Sequence, residues 1–266
     1  MNNNKPNIYF DSHCHIDNQT FNTNIHTDIT SNQIKLICPA THTNSFEHTI
    51  ITCLEHNYYF TLGIHPLYSQ DVNSQHIEIL KQYITKYIDH PYFLGIGEIG
   101  LDGVCNIDIN QQIYTFEHQL KLANLFDLPV ITHIRKSQDQ VLKYLRKYNI
   151  KKGIAHAFNG SLQQTNEYIK QGFKLGFGGN ISFDRALQIR KLAQNLDIEH
   201  ILLETDAPDM PPSWAYKQVN IPTNIIGIYA CMAELRNIEM CELKQSIMQN
   251  IFNIFSAKMN IMMITA

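Results

Sequence analysis

The sequence predicts a single (β/α)8 barrel, and three observations predict it. Eight short apolar runs alternate with stretches of helical periodicity along 266 residues, a length usual for one barrel of this kind. No Gly/Ser-rich or Pro-rich linker interrupts the alternation, so residues 1–266 are expected to form one domain. The first, third, fourth, fifth, sixth and eighth runs end in His, Glu or Asp. Catalytic groups of a barrel sit at the C-terminal ends of several strands and converge on one mouth. A doubly wound open sheet is the rival, and it would scatter those residues along an edge.

The elements follow in order. Ile8-Tyr9-Phe10 leads into Asp11-Ser12-His13-Cys14-His15. In an extended strand, residues two apart share a face, so His13 and His15 present two imidazoles side by side and Cys14 points into the core. A second strand is read at 34–39 and a helix at 44–56, capped by Thr43 or Asn44. The third strand covers 58–64 and ends at His65-Pro66; a helix follows at 74–88. The fourth strand, 93–98, ends on Glu98. A long helix at 109–126 places Phe116, Leu120 and Ala123 on one face. Strand 129–133 ends on His133, a helix covers 138–148, and strand 153–156 ends on His156. A helix at 162–171, a strand at 173–177, a helix at 185–195 and a strand at 200–206 ending on Asp206 complete the alternation. Two helices, 223–235 and 240–257, close the chain.

Composition narrows the classes. Hydrophobic residues make up 44% and the net charge is −3, which excludes a disordered chain and gives no basic footprint for bulk nucleic-acid binding. The six cysteines form no Cys-x-x-Cys pair, so a structural zinc knuckle is not expected. No apolar run reaches the length of a membrane span. Residues 1–5 hold no apolar segment, so no secretory signal, a reduced cytoplasmic setting and no obligate protein partner are expected.

The polar strand ends form a ligand set: His13, His15, Glu98, His133, His156 and Asp206. Imidazoles mixed with carboxylates suit Zn, Mn, Fe or Ni rather than Ca. Zn is expected on affinity as isolated, with Mg also considered. Six protein ligands exceed the three of one catalytic zinc, so two ions are expected, with Glu98 as the bridging carboxylate. Asp206 is expected to ligate and to orient or deprotonate a nucleophilic water, making Asp206 and Glu98 the catalytic carboxylates.

The chain resembles the TatD family of metal-dependent hydrolases, of the amidohydrolase-like barrel superfamily. The residues that carry the resemblance are Phe10-Asp11-Ser12-His13-Cys14-His15, Gly63-Ile64-His65-Pro66, Gly97-Glu98-Ile99-Gly100-Leu101-Asp102, the run Leu128 to Arg135, the run Ala155 to Ser161, and Leu202 to Pro208. Pro39-Ala40-Thr41 and Ala207-Pro208-Asp209-Met210-Pro211 resemble the YjjV-type branch. The resemblance implies a one- or two-metal centre and phosphodiester hydrolysis, typically of DNA or an oligonucleotide with 3′-to-5′ exonuclease character. By motif, it implies one ion on His13, His15, Glu98 and Asp206, and a second on Glu98, His133 and His156. It implies His65 and Arg135 as substrate-facing groups, Arg135 on phosphate. Asp102 and Glu204 are expected behind the ligands, orienting imidazoles.

The chain departs from the family's pattern twice. The stretch after Asp102 reads Gly103-Val104-Cys105-Asn106, without the aromatic and basic pair common there, and residues 213–222 carry Lys217 as their single charge. The first removes an expected phosphate clamp, and the second thins the positive rim that attracts a polyanion. Hydrolysis of a small ester, amide or phosphoester on the same centre is therefore the alternative, and a barrel kept as a binding protein is a third reading. Trp214 and Tyr216 offer ring faces to an unpaired base, or else pack a loop.

Overall fold

Chain order becomes strand order. The computed structural model describes residues 8–22, 24–256 and 259. Its eight strands follow one another as β1 to β8 in the sheet. They are β1 (Tyr9–Asp11), β2 (Ile34–Pro39), β3 (Tyr59–Leu62), β4 (Phe93–Asp102), β5 (Val130–Arg135), β6 (Gly153–Ala155), β7 (Phe173–Phe177) and β8 (Ile201–Leu203). Doubly wound sheets shuffle the strand order at a switch point; here it runs consecutively, in the (β/α)8 class. The helices between and after them are α1 (Ile25–Ser31), α2 (Phe46–His56), α3 (Ser74–Tyr87), α4 (Ile109–Leu125), α5 (Gln138–Lys147), α6 (Leu162–Lys170), α7 (Leu187–Asn195), α8 (Ile225–Arg236) and α9 (Met240–Phe255). Among the described residues no helix is long and apolar enough to cross a membrane.

Contacts cluster the chain into two units, one of Met1–Cys38 with Gly176–Ala266 and one of Pro39–Leu175. In the first unit β1 pairs in parallel with β2, Tyr9 against Ile34 and Asp11 against Leu36. Phe10, Leu36, Phe177, Leu202, Ile228 and Ile251 are buried there. Two polar side chains fix the strands inside this apolar surround. The Tyr229 hydroxyl donates to Phe10 O and accepts from Phe10 N, both at 3.1 Å. Asn250 Nδ2 donates to Ile198 O and Ile201 O, so α9 holds the start of β8.

In the second unit β3, β4, β5 and β6 pair in parallel. Phe60, Phe93, Phe116, Ile131 and Phe173 fill its interior. Helix ends follow their sequence signals. Asp108 accepts from Asn110 N at the start of α4, and Ser161 with Gln164 forms a capping box at the start of α6. Asn57 ends α2 in the left-handed region, where a short polar side chain is tolerated.

Several elements differ from expectation, most by a residue or two at an end and four in ways that bear on the site or its scaffold. Helix α1 was not expected: its seven residues include three of Thr or Ser and one Asp, weak helix formers, and only Ile25 and Ile29 are buried. The cap expected at Thr43 or Asn44 is absent, because Thr43–Ser45 forms a 3-10 turn and Ser45 Oγ donates back to His42 O. Strand β4 runs past Glu98 to Asp102. Its register against β5 shifts between Ile96 and Ile99, and such a bulge re-aims a side chain without ending the strand. Gly100 makes the continuation possible, for at φ 149° a Cβ there would lie 2.0 Å from His133 O. Strand β8 ends at Leu203, so Asp206 sits on the loop beyond it. The expected end of the last helix at Ala257, and residues 1–5, lie outside the described residues.

Replacing Tyr229 with Phe removes two buried hydrogen bonds and leaves the ring packing intact. The expected loss is about 1–3 kcal/mol, read from urea unfolding at constant m; an unchanged midpoint contradicts the role given to the hydroxyl.

Candidate metal centre

In the first unit the residues after β1 and after β8 meet. His13 Nε2 lies 3.2 Å from His15 Nε2, and Asp206 Oδ1 lies 3.6 Å from the first and 3.8 Å from the second. Bonds of about 2.0–2.2 Å in a tetrahedron separate neighbouring ligand atoms by about 3.3–3.6 Å. The triad fits a single transition-metal ion, and its nitrogens exclude the all-oxygen preference of calcium.

Backbone bonds set these directions. Ser12 N donates to Leu203 O, Asp206 N to His13 O, and His15 N to Ala207 O. Beneath them lies Asp11, fully buried. Its Oδ1 accepts from Thr205 N at 2.9 Å and from His13 N at 3.2 Å; its Oδ2 accepts from Thr205 Oγ1 at 2.6 Å. Burial pushes the Asp11 carboxyl up to about 8, and the Thr205 and His13 donors restrain the rise. Asn220 Nδ2 donates to Thr205 O and Asp209 O, both at 2.8 Å, fixing the loop that carries Asp206. Glu204 accepts from Ser12 Oγ at 3.3 Å.

In the second unit three imidazoles turn toward Glu98 Oε1: His133 Nδ1 at 2.9 Å, His65 Nε2 at 3.4 Å and His156 Nε2 at 3.6 Å. Glu98 is buried within β4 and His133 is partly buried within β5, where each was expected to end its strand; His156 directly follows β6. Proximity alone groups His65 with Glu98 and His133 as possible ligands. The ring says otherwise. His65 Nδ1 accepts from Leu67 N at 3.1 Å, which assigns its proton to Nε2 and makes that nitrogen a donor rather than a ligand.

Asp102 ends β4 and lies 3.1 Å from His133 Nε2 through its Oδ2. Arg135 Nη1 approaches the same oxygen at 3.7 Å while its side chain is 62% exposed, so its remaining donors face solvent. The Gly103–Asn106 stretch, poor in charge, supplies Val104 N and Cys105 N to Asp102 Oδ1. Burial pushes Asp102 up, but the His133 ring and these amides outweigh it and hold the carboxyl well below the usual range. For His133, burial pushes the imidazole down, yet Asp102 and Glu98 on its two nitrogens raise it above its ordinary value.

Residues the sequence reading gave no role also build the site. Gln112 Oε1 accepts from Asp102 N at 2.8 Å, and its Nε2 donates to Asp102 O and Ile107 O. Gln119 Oε1 accepts from Ile64 N, and its Nε2 donates to Ile64 O, pinning the residue before His65. Both amides lie on the buried face of α4 beside Phe116. An amide on an apolar stripe is the signal that marks them, since a buried polar group needs partners.

Comparison with known proteins places these motifs in context. The model of the family described as TatD related DNase matches residues 10–256. An uncharacterised metal-dependent hydrolase of Escherichia coli, YjjV, is 32% identical over 93% of this chain and 98% of its own length. Its crystal structure, described as a TatD homolog, superposes with a TM-score of 0.87. A TatD family hydrolase from Entamoeba histolytica shares the fold at 20% identity, with a TM-score of 0.80 over 93% of this chain and 98% of that one.

In metal-free protein an NMR titration is expected to place the His133 pKa above about 6.5, and Asp102→Asn to lower it. Its folded value is raised, so its contribution to stability is complete below the unfolded value and is lost as pH rises through the folded one. Ligation needs the neutral ring, so binding of an ion here releases a proton at pH near the raised value. A His133 pKa below the ordinary value contradicts this arrangement.

Proposed function

The chain belongs to the TatD-related DNase family, and from that premise we propose that this metal-dependent hydrolase is a phosphodiesterase acting on DNA or oligonucleotide ends, with 3′-to-5′ exonuclease character. The observation that carries the reading is the His13, His15 and Asp206 triad, whose three ligand atoms lie 3.2–3.8 Å apart. Divalent ions, Zn on affinity or Mg, Mn, Fe or Ni by availability, would supply Lewis acidity and a water of lowered pKa. Two ions are part of the proposal on ligand number, since six candidate ligands exceed the three of one catalytic zinc. Glu98 shared between them, with His133 and His156 on the second, is proposed on the same ground.

The chain's own groups have defined tasks in this reading. Asp206 orients the attacking water and accepts its proton. His65, with its proton on Nε2, donates a hydrogen bond to a substrate oxygen. Arg135 pairs its outward donors with a phosphate. Asp102 holds the His133 ring, and Glu204 supports the strand end through Ser12. One catalytic domain, 1–266, is proposed to carry them all. The absence of a basic residue in Gly103–Asn106 favours a second reading, hydrolysis of a small ester, amide or phosphoester on the same groups.

A panel of 3′-ended single-stranded and duplex oligonucleotides and small phosphoesters, with metal content measured in parallel, separates the readings. Asp206→Ala is expected to lower oligonucleotide turnover by about 10²–10⁴-fold, and His13→Ala to lose one bound ion and keep that held by His133 and His156. Activity that survives complete chelation contradicts the metal-dependent reading; activity confined to small esters selects the second substrate class.

A further inference from the structure

An open cleft of about 370 Å³ lies in the first unit, lined by Ser182, Phe183, Asp184, Arg185, Ser213 and Tyr216. It is formed by the loops that follow β7 and β8. In (β/α)8 enzymes these two loops are frequent builders of phosphate sites at the C-terminal face. The Phe183 and Tyr216 rings meet edge-on, 5.9 Å apart at 80°. The Arg185 guanidinium carbon lies 5.2 Å from the first ring centroid and 5.9 Å from the second. Lys217 Nζ lies 5.6 Å from the Tyr216 ring.

The cleft walls are fixed, and they are tied to Asp206. Ser213 N donates to Ser182 Oγ at 2.7 Å, joining the two loops. A Cβ at Gly179 would lie 2.7 Å from Met210 O and 2.8 Å from Pro212 N, so this approach of the loops requires glycine. Asp209 N donates to Asp206 O at 2.8 Å, and Asn220 bonds both Thr205 O and Asp209 O. The loop therefore runs as a bonded path from Asp206 to the cleft wall.

Chemistry selects the occupant. Arg185 forms no ion pair with a carboxylate among the described residues, whereas Asp184 Oδ1 has Arg190 Nη2 at 3.8 Å. A half-exposed tyrosine ring and a partly buried phenylalanine ring beside such a guanidinium match a planar ligand that carries a negative charge. Trp214 is not the stacking ring despite being 47% exposed. Its Nε1 donates to Asn224 Oδ1 at 3.0 Å and its indole packs on Gly227 of α8.

We propose that this cleft is a nucleotide subsite for single-stranded nucleic acid, in which Phe183 and Tyr216 stack an unpaired base and Arg185 holds the adjoining phosphate. The proposal rests on the nucleic-acid reading above and adds the strand's path away from the reacting phosphodiester. Ring faces accept any base, so the subsite grips without reading sequence. The Arg185 guanidinium stays beside the rings while its outward donors meet phosphate oxygens.

The test is photo-crosslinking of the full chain, in chelator, to decadeoxynucleotides carrying 5-iodouracil at one position each. The expected crosslink is on the peptide containing Phe183 or Tyr216, at a position set back from the 3′ end. Arg185→Ala should weaken it, and crosslinks confined to other peptides, or none, overturn the subsite. In metal-loaded protein Tyr216→Ala should raise the oligonucleotide KM by about tenfold with kcat kept, and Tyr216→Trp should restore it. An unchanged KM also overturns the subsite. Failure of the nuclease reading looks different: the wild-type chain then crosslinks at the cleft but hydrolyses no oligonucleotide.

Discussion

Asp11 is fully buried, and its carboxyl group gathers three donors: the amide and hydroxyl of Thr205 and the amide of His13. One side chain thus joins the end of β1 to the segment beyond β8. Each donor sits next to a candidate ligand or on one, so the bonds that satisfy Asp11 also aim His13 and Asp206. Leaving one buried donor without its acceptor costs about 1–3 kcal/mol. Removing Asp11 would therefore reach the ligands through the backbone, which makes it a positioning residue.

The second cluster of candidate ligands is built by a different route. There Glu98 and His133 lie within β4 and β5 rather than past them, and the register of β4 against β5 shifts between Ile96 and Ile99, on either side of Glu98. His133 stands between two carboxylates, one on each ring nitrogen. A ring so placed cannot rotate without giving up one partner, and two carboxylate acceptors favour a proton on both of its nitrogens. The amides of Gln112 and Gln119 hold the backbone on either side of this group. Rigidity at both sets comes from backbone bonds made by buried polar side chains, with the apolar interior supplying the scaffold.

Much of this was legible in the sequence because its signals are local. Alternating runs mark strands and helices, and a polar residue closing an apolar run marks a candidate ligand. The TatD motifs order His13, His15, Glu98, His133, His156 and Asp206 before any coordinates are considered. What stayed hidden depends on partners distant in sequence. Asp11 and Thr205 are 194 residues apart, and nothing near either one names the other. The continuation of β4 depends on Gly100 passing close to His133 O, a contact between strands. The His65 tautomer depends on one amide in the following turn. Trp214 and Tyr216 look alike in the sequence, and they part only because Asn224 captures the indole.

The proposed hydrolysis depends above all on His13, His15 and Asp206 being aimed at one ion before it binds. Anomalous diffraction at the manganese, iron, nickel and zinc edges, on crystals of protein purified without chelator, tests it directly. The predicted result is an anomalous peak about 2.0–2.2 Å from His13 Nε2, His15 Nε2 and Asp206 Oδ1. A bound transition metal located away from these three atoms would contradict it.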